Sequence, residues 1–232
     1  MRILQLSDPH LLADPAGLCR GRPSLALLRH GLEQALAQLR RCGALPHRLL
    51  ISGDLCHDEG WGGYGRLRDL LREPLAEALG PPLLLAGNHD HPWAAGAGPV
   101  DLDRAAAGGP GGGRRPGRGP CWWPSTIPRC RSAIPCSMPS DWRRGSAWWG
   151  CWPPRRGCGG VVFGHVHQHW QGTLPGRPEV PLLGCPSTLC PFGPVQPCPL
   201  DLADRPGGRL LELTAEGEIR HRLLRWELPH HP

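Results

Sequence analysis

Lysine is missing altogether, so all 26 basic residues are arginines. With 33 glycines and 29 prolines in 232 residues, this is the imprint of a GC-rich gene. The net charge of +6 gives no reason to expect nucleic acid, because more than a third of the arginines fall in an irregular middle stretch. No Cys-x-x-Cys pair occurs among the 11 cysteines. An odd count at irregular spacings argues against both a zinc ribbon and a secreted disulfide framework. No apolar run approaches the roughly 20 residues that span a bilayer, and no basic leader or cleavage site precedes the first apolar segment. The expectation is a soluble, cytoplasmic protein with no membrane partner, and one domain over residues 1–232 is natural at this length.

What is present begins as an alternation. Ile3 to Leu6 is a short apolar run ending in Ser7-Asp8-Pro9-His10, a buried strand that delivers Asp8 and His10 to a loop. Leu25, Leu28, Leu32, Ala35, Leu36 and Leu39 recur at helical spacing, with Pro23-Ser24 as a start and Gly43 as a stop. Leu49 to Ser52 predicts a second strand closed by Gly53-Asp54, and a second helix follows from about Tyr64 to Leu79. Leu83 to Ala86 is a third strand closed by Gly87-Asn88-His89-Asp90. Val161 to Gly164 leads into His165-Val166-His167, Pro181 to Gly184 reads as a short strand, and Arg209 to Leu213 with Glu218 to Trp226 form a terminal hairpin. Strands separated by helices, each ending in polar residues, describe an α/β domain with its site at the carboxyl ends of the strands.

Between Ala94 and Gly160 the pattern fails. Glutamate is absent there, Gly108 to Pro120 holds only Gly, Arg and Pro, and residues 121–158 hold six of the ten tryptophans and five of the 11 cysteines. Linkers are poor in aromatics. Tryptophans interleaved with arginines would suit a single-stranded nucleic-acid surface, but the genetic code offers another account. If the last base of each codon is joined to the first two of the next, with C or G in third positions, the text from Cys121 becomes LVALHHPPVPVG. Continued to Cys158, it becomes roughly DPLLDAIGLAAGLRLVGLLAAPAGLRG. A strand, a His-His-Pro loop and a leucine-periodic helix then run into Val161. We read residues from about 92 to 158 as wholly or partly translated out of frame.

The chemistry lies in four blocks: Asp8-x-His10, Gly53-Asp54, Gly87-Asn88-His89-Asp90 and Gly164-His165-x-His167. A carboxylate bridging two cations, with imidazoles and an amide oxygen completing each shell, holds the ions about 3.5–4 Å apart around an activated water. A lone Asp-x-His is usually a surface turn, but four such blocks in order, each after an apolar strand, point to a metal site. Asp58 reads as a brace of its loop and His57 as a possible substrate contact. His91 stands beside the third block, where adjacent extended side chains point apart. His169, His221, His230 and His231 read as solvent-facing.

These blocks, with Leu6-Ser7-Asp8-x-His10-Leu11, Gly53-Asp54-Leu55-x-x-Asp58, Gly164-His165-Val166-His167-Gln168, Pro186-Ser187-Thr188 and the ending Pro206-Gly207-Gly208-Arg209 to Trp226, resemble the calcineurin-type metallophosphoesterases. Within them the narrower likeness is to the class III 3',5'-cyclic-nucleotide phosphodiesterases. The likeness covers about residues 1–92 and 159–228. It implies a four-layer α/β/β/α sandwich and two metal ions, divalent or trivalent, drawn from iron, manganese and zinc. It places Asp8, His10, Asp54 and His167 on one ion, and Asp54, Asn88 and His165 on the other. His89 would polarise the leaving oxygen with Asp90 orienting it, and His10, Asp54, Asn88, His89 and His167 would face the substrate, 3',5'-cyclic AMP. The family carries one more histidine on the second ion, between the third and fourth blocks. Here that position falls across Ser125 to Ile127, and the histidine survives only in the alternative frame. Three readings follow: a phosphodiesterase, a metal- or nucleotide-binding remnant without turnover, and a phosphoesterase of broad specificity.

Overall fold

The structure is a computed structural model describing residues 1–58, 60–90, 100–103, 150–151, 160–174, 176–200 and 202–229. The stretch read as out of frame falls outside the described residues, except for 100–103 and 150–151. His91 and most of the tryptophan and cysteine cluster fall outside them too.

Strand β1 (Arg2–Ser7) is buried along almost its whole length, with no exposed alternate face, as expected of a central strand covered on both sides. Helix α1 (Ser24–Arg41) turns Leu28, Leu32, Ala35, Leu36 and Leu39 inward, as their spacing predicts, and Gly43 adopts the left-handed conformation (φ +62°) just beyond its end. Strand β2 (Arg48–Gly53) follows. The expected second helix is two pieces, α2 (Trp61–Leu71) and α3 (Pro74–Glu77). Leucine periodicity alone reads through this break. Pro74 imposes it, because a proline disfavours helical backbone in the residue before it, and Glu73 is extended at ψ 144°. Strand β3 (Leu83–Ala86) closes the first half.

Beyond it lie β4 (Gly150–Cys151), β5 (Val161–Phe163), β6 (Trp170–Leu174), β7 (Arg177–Gly184), β8 (Gly207–Leu213) and β9 (Ile219–Arg225). Strand β6 is an addition to the sequence reading, and it pairs antiparallel with a β7 that starts four residues earlier than expected.

Two sheets result, ordered β3-β2-β1-β8-β9 and β4-β5-β7-β6. Strands β1, β2 and β3 are parallel, as are β5 and β7, while β8 joins β1 antiparallel. Along β1, Leu4 and Leu6 face the helices with Leu49, Ile51, Leu84, Leu32 and Leu67. Ile3 faces the other way, with Leu50, Leu211 and Leu183 of β7, and this contact joins the two sheets. The outer side of the second sheet carries Val161, Phe163, Val180 and Leu182. The three described helices all pack on the first sheet. The α/β sandwich is the architecture expected, and the expectation of a helical layer over the second sheet falls on residues outside the described ones. No described helix is long and apolar enough to cross a membrane.

Candidate active site

The carboxyl ends of β1, β2, β3 and β5 meet at one place. Past the end of β1 the ladder continues into the loop: Asp8 N donates to Ser52 O (3.0 Å), His10 N to Asp54 O (3.0 Å) and Leu11 N to Leu55 O (2.9 Å). From the other sheet, Ser187 Oγ donates to Asp8 O (2.8 Å) and Thr188 N to Ser7 O (2.9 Å), which gives the Pro186-Ser187-Thr188 block its structural reason. These clamps hold an uncommon backbone. Asp8, His10, His165 and His167 all have φ between +48° and +67°, a region that costs an L-residue about 1–2 kcal/mol. Strain of this kind clusters where side-chain placement matters more than stability.

Glycine is required beside the carboxylates. A Cβ on Gly53 (φ +83°) would lie 2.1 Å from Asp8 Oδ1, and one on Gly87 would lie 2.1 Å from Asp54 Oδ1. The Gly-Asp and Gly-Asn-His-Asp motifs therefore record close packing of loop backbone on a buried acid.

Asp8, His10, Asp54 and His167 bring one ligand atom each within 4.8 Å of one another, and all four are buried. His10 Nε2 and His167 Nε2 are 3.0 Å apart. Asp54 Oδ2 is 3.7 Å from His10 Nε2, and Asp8 Oδ1 is 3.8 Å from His167 Nε2. Asp8 also accepts Asp54 N (3.0 Å), both of its oxygens accept His165 N (3.0 and 2.9 Å), and the Ser7 hydroxyl donates to it. Asp54 Oδ1 accepts His89 N (2.9 Å).

Burial pushes the Asp8 carboxyl above its ordinary range, against the pull of His167 and Ser7. Burial pushes His10 down to about 2, with repulsion from His167, His57, His89 and Arg20 adding to it. His10 is therefore neutral, the state a metal ligand requires. For His167 burial also acts downward, but its hydrogen bond to Cys190 and the Asp8 carboxylate prevail and raise it. Two carboxylates shut away from water beside a neutral imidazole need a counter-charge. A cation held by these four residues would supply it, so this donor set fits a metal ion.

The second set is less complete. Asn88 and His165 line the same cavity of about 180 Å³ as Asp54, His10, His89 and His167. Among the described residues, no third His, Cys, Asp or Glu joins Asp54 and His165 in a cluster. The position of the missing family histidine, across Ser125 to Ile127, lies outside the described residues.

His89 stands at the mouth, its ring stacked on His57 (4.9 Å, 18°) and edge-on to His10 (5.4 Å). Asp90 does not orient it, contrary to the sequence expectation. Its carboxylate instead accepts Leu55 N (2.9 Å), Cys56 N (2.9 Å), Gly87 N (2.7 Å) and Tyr64 Oη–H (2.8 Å). Asp90 is a buried brace tying the β2 and β3 loops together, a role hidden in sequence because its partners are backbone groups. His57 Nδ1 lies 3.2 Å from His10 Nδ1 and its ring stacks on His89, but His57 is not among the residues that line the cavity. Asp58 braces its loop as expected, accepting Gly60 N (3.0 Å) and Ala13 N (3.4 Å). His169 is buried, not solvent-facing, with Nε2 3.1 Å from Pro197 O.

Two cavity-lining residues escaped the sequence reading, Arg20 and Phe192. Phe192 stacks on His167 (4.3 Å, 11°), and the Arg20 guanidinium lies 5.2 Å from the Phe192 ring centroid. The left-handed turn at Arg20-Gly21 was the available signal for the first. The Pro191-Phe192-Gly193-Pro194 loop just after the Pro-Ser-Thr block was the signal for the second.

An α/β sandwich that gathers buried aspartates and histidines at its strand ends is the framework of a metal-dependent hydrolase. A model of the calcineurin-like phosphoesterase family matches residues 1–169, and the chain belongs to that family. A probable cyclic nucleotide phosphodiesterase of Synechococcus sp. (strain WH7803) is 37% identical over 266 aligned positions, covering 97% of this chain and 96% of the relative. A second probable cyclic nucleotide phosphodiesterase, of Synechococcus sp. (strain PCC 6301), is 38% identical over 96 residues, 40% of this chain and 32% of its own length. Among solved structures, a Vps29 single mutant from Entamoeba histolytica covers 98% of this chain and 100% of its own at 15% identity and a TM-score of 0.36.

Proposed function

We propose that the chain is a single-domain, dinuclear-metal phosphodiesterase that hydrolyses 3',5'-cyclic AMP to 5'-AMP. The observation that carries this reading is the buried convergence of Asp8, His10, Asp54 and His167 at the strand ends. The near full-length relative, a probable cyclic nucleotide phosphodiesterase, supports the substrate class.

Asp8, His10, Asp54 and His167 would hold one ion, and Asp54, Asn88 and His165 would face the second; iron, manganese and zinc all suit these mixed ligands. Bound ions supply Lewis acidity and an acidified water. The chain's own contribution is placement. Asp54 stands between the two ligand sets with one oxygen fixed by His89 N. Asn88 and His89 border the mouth, where a phosphodiester would lie against His10 and His167. His89, exposed and stacked on His57, would give a proton to the leaving 3'-oxygen. The test is to purify the chain, measure bound iron, manganese and zinc, and assay cyclic AMP beside a chromogenic phosphodiester. Preference for cyclic AMP is expected; no hydrolysis of either with any of the three metals overturns the reading.

The incomplete second set favours a second reading, in which the chain binds one ion and turns over slowly or not at all. Loss of a metal-site group commonly costs 10–100-fold in affinity or activity. Metal stoichiometry separates the two: two ions per chain supports the enzyme, and one supports the remnant.

A further inference from the structure

Arg20 sits in a tight turn closed by two reciprocal bonds, Cys19 N to Arg22 O and Arg22 N to Cys19 O, both 3.0 Å. Both central residues are left-handed, Arg20 at φ +51° and Gly21 at φ +72°, the signature of a type I′ turn. That turn favours Asn, Asp or Gly at its first centre, and arginine has no side-chain feature that relieves the strain. The strain does have an effect on position. It carries the guanidinium over the Phe192 ring at the edge of the cavity that contains the metal-ligand cluster.

Phe192 is itself fixed, since its N donates to His167 O (3.3 Å), its O accepts Gln168 Nε2 (2.6 Å) and its ring stacks on His167. A stacked column thus runs from a candidate metal ligand through an aromatic ring to an arginine. The charge of Arg20 is felt by His10, His57, Cys19 and Cys190, none of them a carboxylate. Among the described residues Arg20 has no ion pair, a condition it shares with Arg2, Arg22, Arg66 and others, and it is the arginine that lines this cavity. A permanently charged, planar donor set held at the mouth of this cavity matches the oxygens of a phosphate group.

We propose that Arg20 is a substrate-binding residue that clamps the phosphate oxyanion at the rim of the cavity lined by the candidate metal ligands. It rests on the phosphodiesterase reading and adds a recognition residue to it. It binds the singly charged diester, and it binds a doubly charged monophosphate product more tightly.

The test uses the full chain loaded with manganese and three variants, Arg20→Gly, Arg20→Ala and Arg20→Lys, with inorganic phosphate as the calorimetric probe. Arg20→Gly relieves the backbone strain, so its melting temperature should rise by about 2–4 °C while its phosphate affinity falls at least tenfold. Arg20→Ala should lose affinity equally, and Arg20→Lys should recover part of it. If cyclic AMP is turned over, KM should rise about tenfold in Arg20→Gly with kcat within threefold. A stabilised Arg20→Gly that binds phosphate within twofold of the parent, or a parent that binds no phosphate, overturns the proposal. Because phosphate binding needs no turnover, a chain that hydrolyses nothing leaves this test intact and counts only against the phosphodiesterase reading.

Discussion

Replacing Gly53 with alanine isolates how the fold positions its buried acid. The new Cβ would lie 2.1 Å from Asp8 Oδ1 and 2.6 Å from its Cγ, where contacts under 3.0 Å are essentially never seen. The carboxylate must therefore retreat by about 1 Å. Retreat weakens the bonds it accepts from Asp54 N and His165 N, each worth about 1.5–3 kcal/mol when the acceptor is charged. Alanine at φ +83° adds about 1–2 kcal/mol of backbone strain. The expected destabilisation is about 3–5 kcal/mol. Gly43 provides the control, because it is also left-handed at φ +62° but a Cβ there has no heavy atom within 4 Å. Gly43→Ala should cost only the backbone part, about 1–2 kcal/mol. Urea denaturation of the metal-free chain measures both, and calorimetry with manganese reads the site. Gly53→Ala should bind manganese at least 100-fold more weakly, and Gly43→Ala should bind as the parent does. Equal destabilisation by the two variants, with manganese affinity retained in Gly53→Ala, would refute the argument that this glycine is fixed by the acid beside it.

Asp90 supplies a pH signature. Burial pushes its carboxyl up to about 6 from 3.8 against four hydrogen-bond donors, so the folded chain holds an extra proton between those values. The stability from this group is full below pH 3.8 and falls as pH rises through 6, by about 3 kcal/mol in all. In Asp90→Asn that slope should vanish, so a gap between variant and parent that stays constant from pH 4 to 7 in metal-free denaturation would count against it. Tyr64→Phe removes one donor to Asp90 and should destabilise by about 1–3 kcal/mol; thermal melts showing no loss would remove Tyr64 from the brace. If the present chain binds one ion, rewriting residues 92–158 in the alternative frame should raise this to two per chain, and a rewritten chain that still binds one would end the frame reading.

The strand ends were legible because buried parallel strands need continuous apolar runs, and here each run stops at a glycine or serine followed by ligand-type residues. The alternation with helices accounts for the parallel order of β1, β2 and β3, whereas the grouping of Asp8, His10, Asp54 and His167 comes from the family resemblance, because His167 follows β5 in the other sheet. Other parts were not legible. The break after Leu71 hides inside a leucine period that runs past Pro74. Strand β6 lacks a clear alternation and is defined by its pairing to β7. Asp90 looks like a partner of its neighbour His89 but turns inward to backbone N–H groups, which sequence does not display. Arg20 and Phe192 are 172 positions apart, and only the fold brings them together.

The two halves of the site are expected to depend on the stretch read as out of frame to different degrees. Asp8 and His10 are held by hydrogen bonds to the β2 end and to Ser187, and His167 by its own bond to Cys190 O (2.9 Å). Among the described residues, every hydrogen bond to Asp8, His10 and His167 comes from residues 1–58 and 160–229. The first ligand set is therefore expected to assemble whichever frame the middle is read in. On the proposed dinuclear reading, the second set would share Asp54 with the first and would need a further group from the middle. A damaged middle would remove an ion from one side of Asp54 while leaving the other side intact, and Asp54 would then carry an unshared oxygen in the cavity. Removing Asp54 should accordingly abolish all metal binding, whereas removing His165 should abolish only binding of the second ion. A His165→Ala chain that loses every ion would show that the halves are not separable.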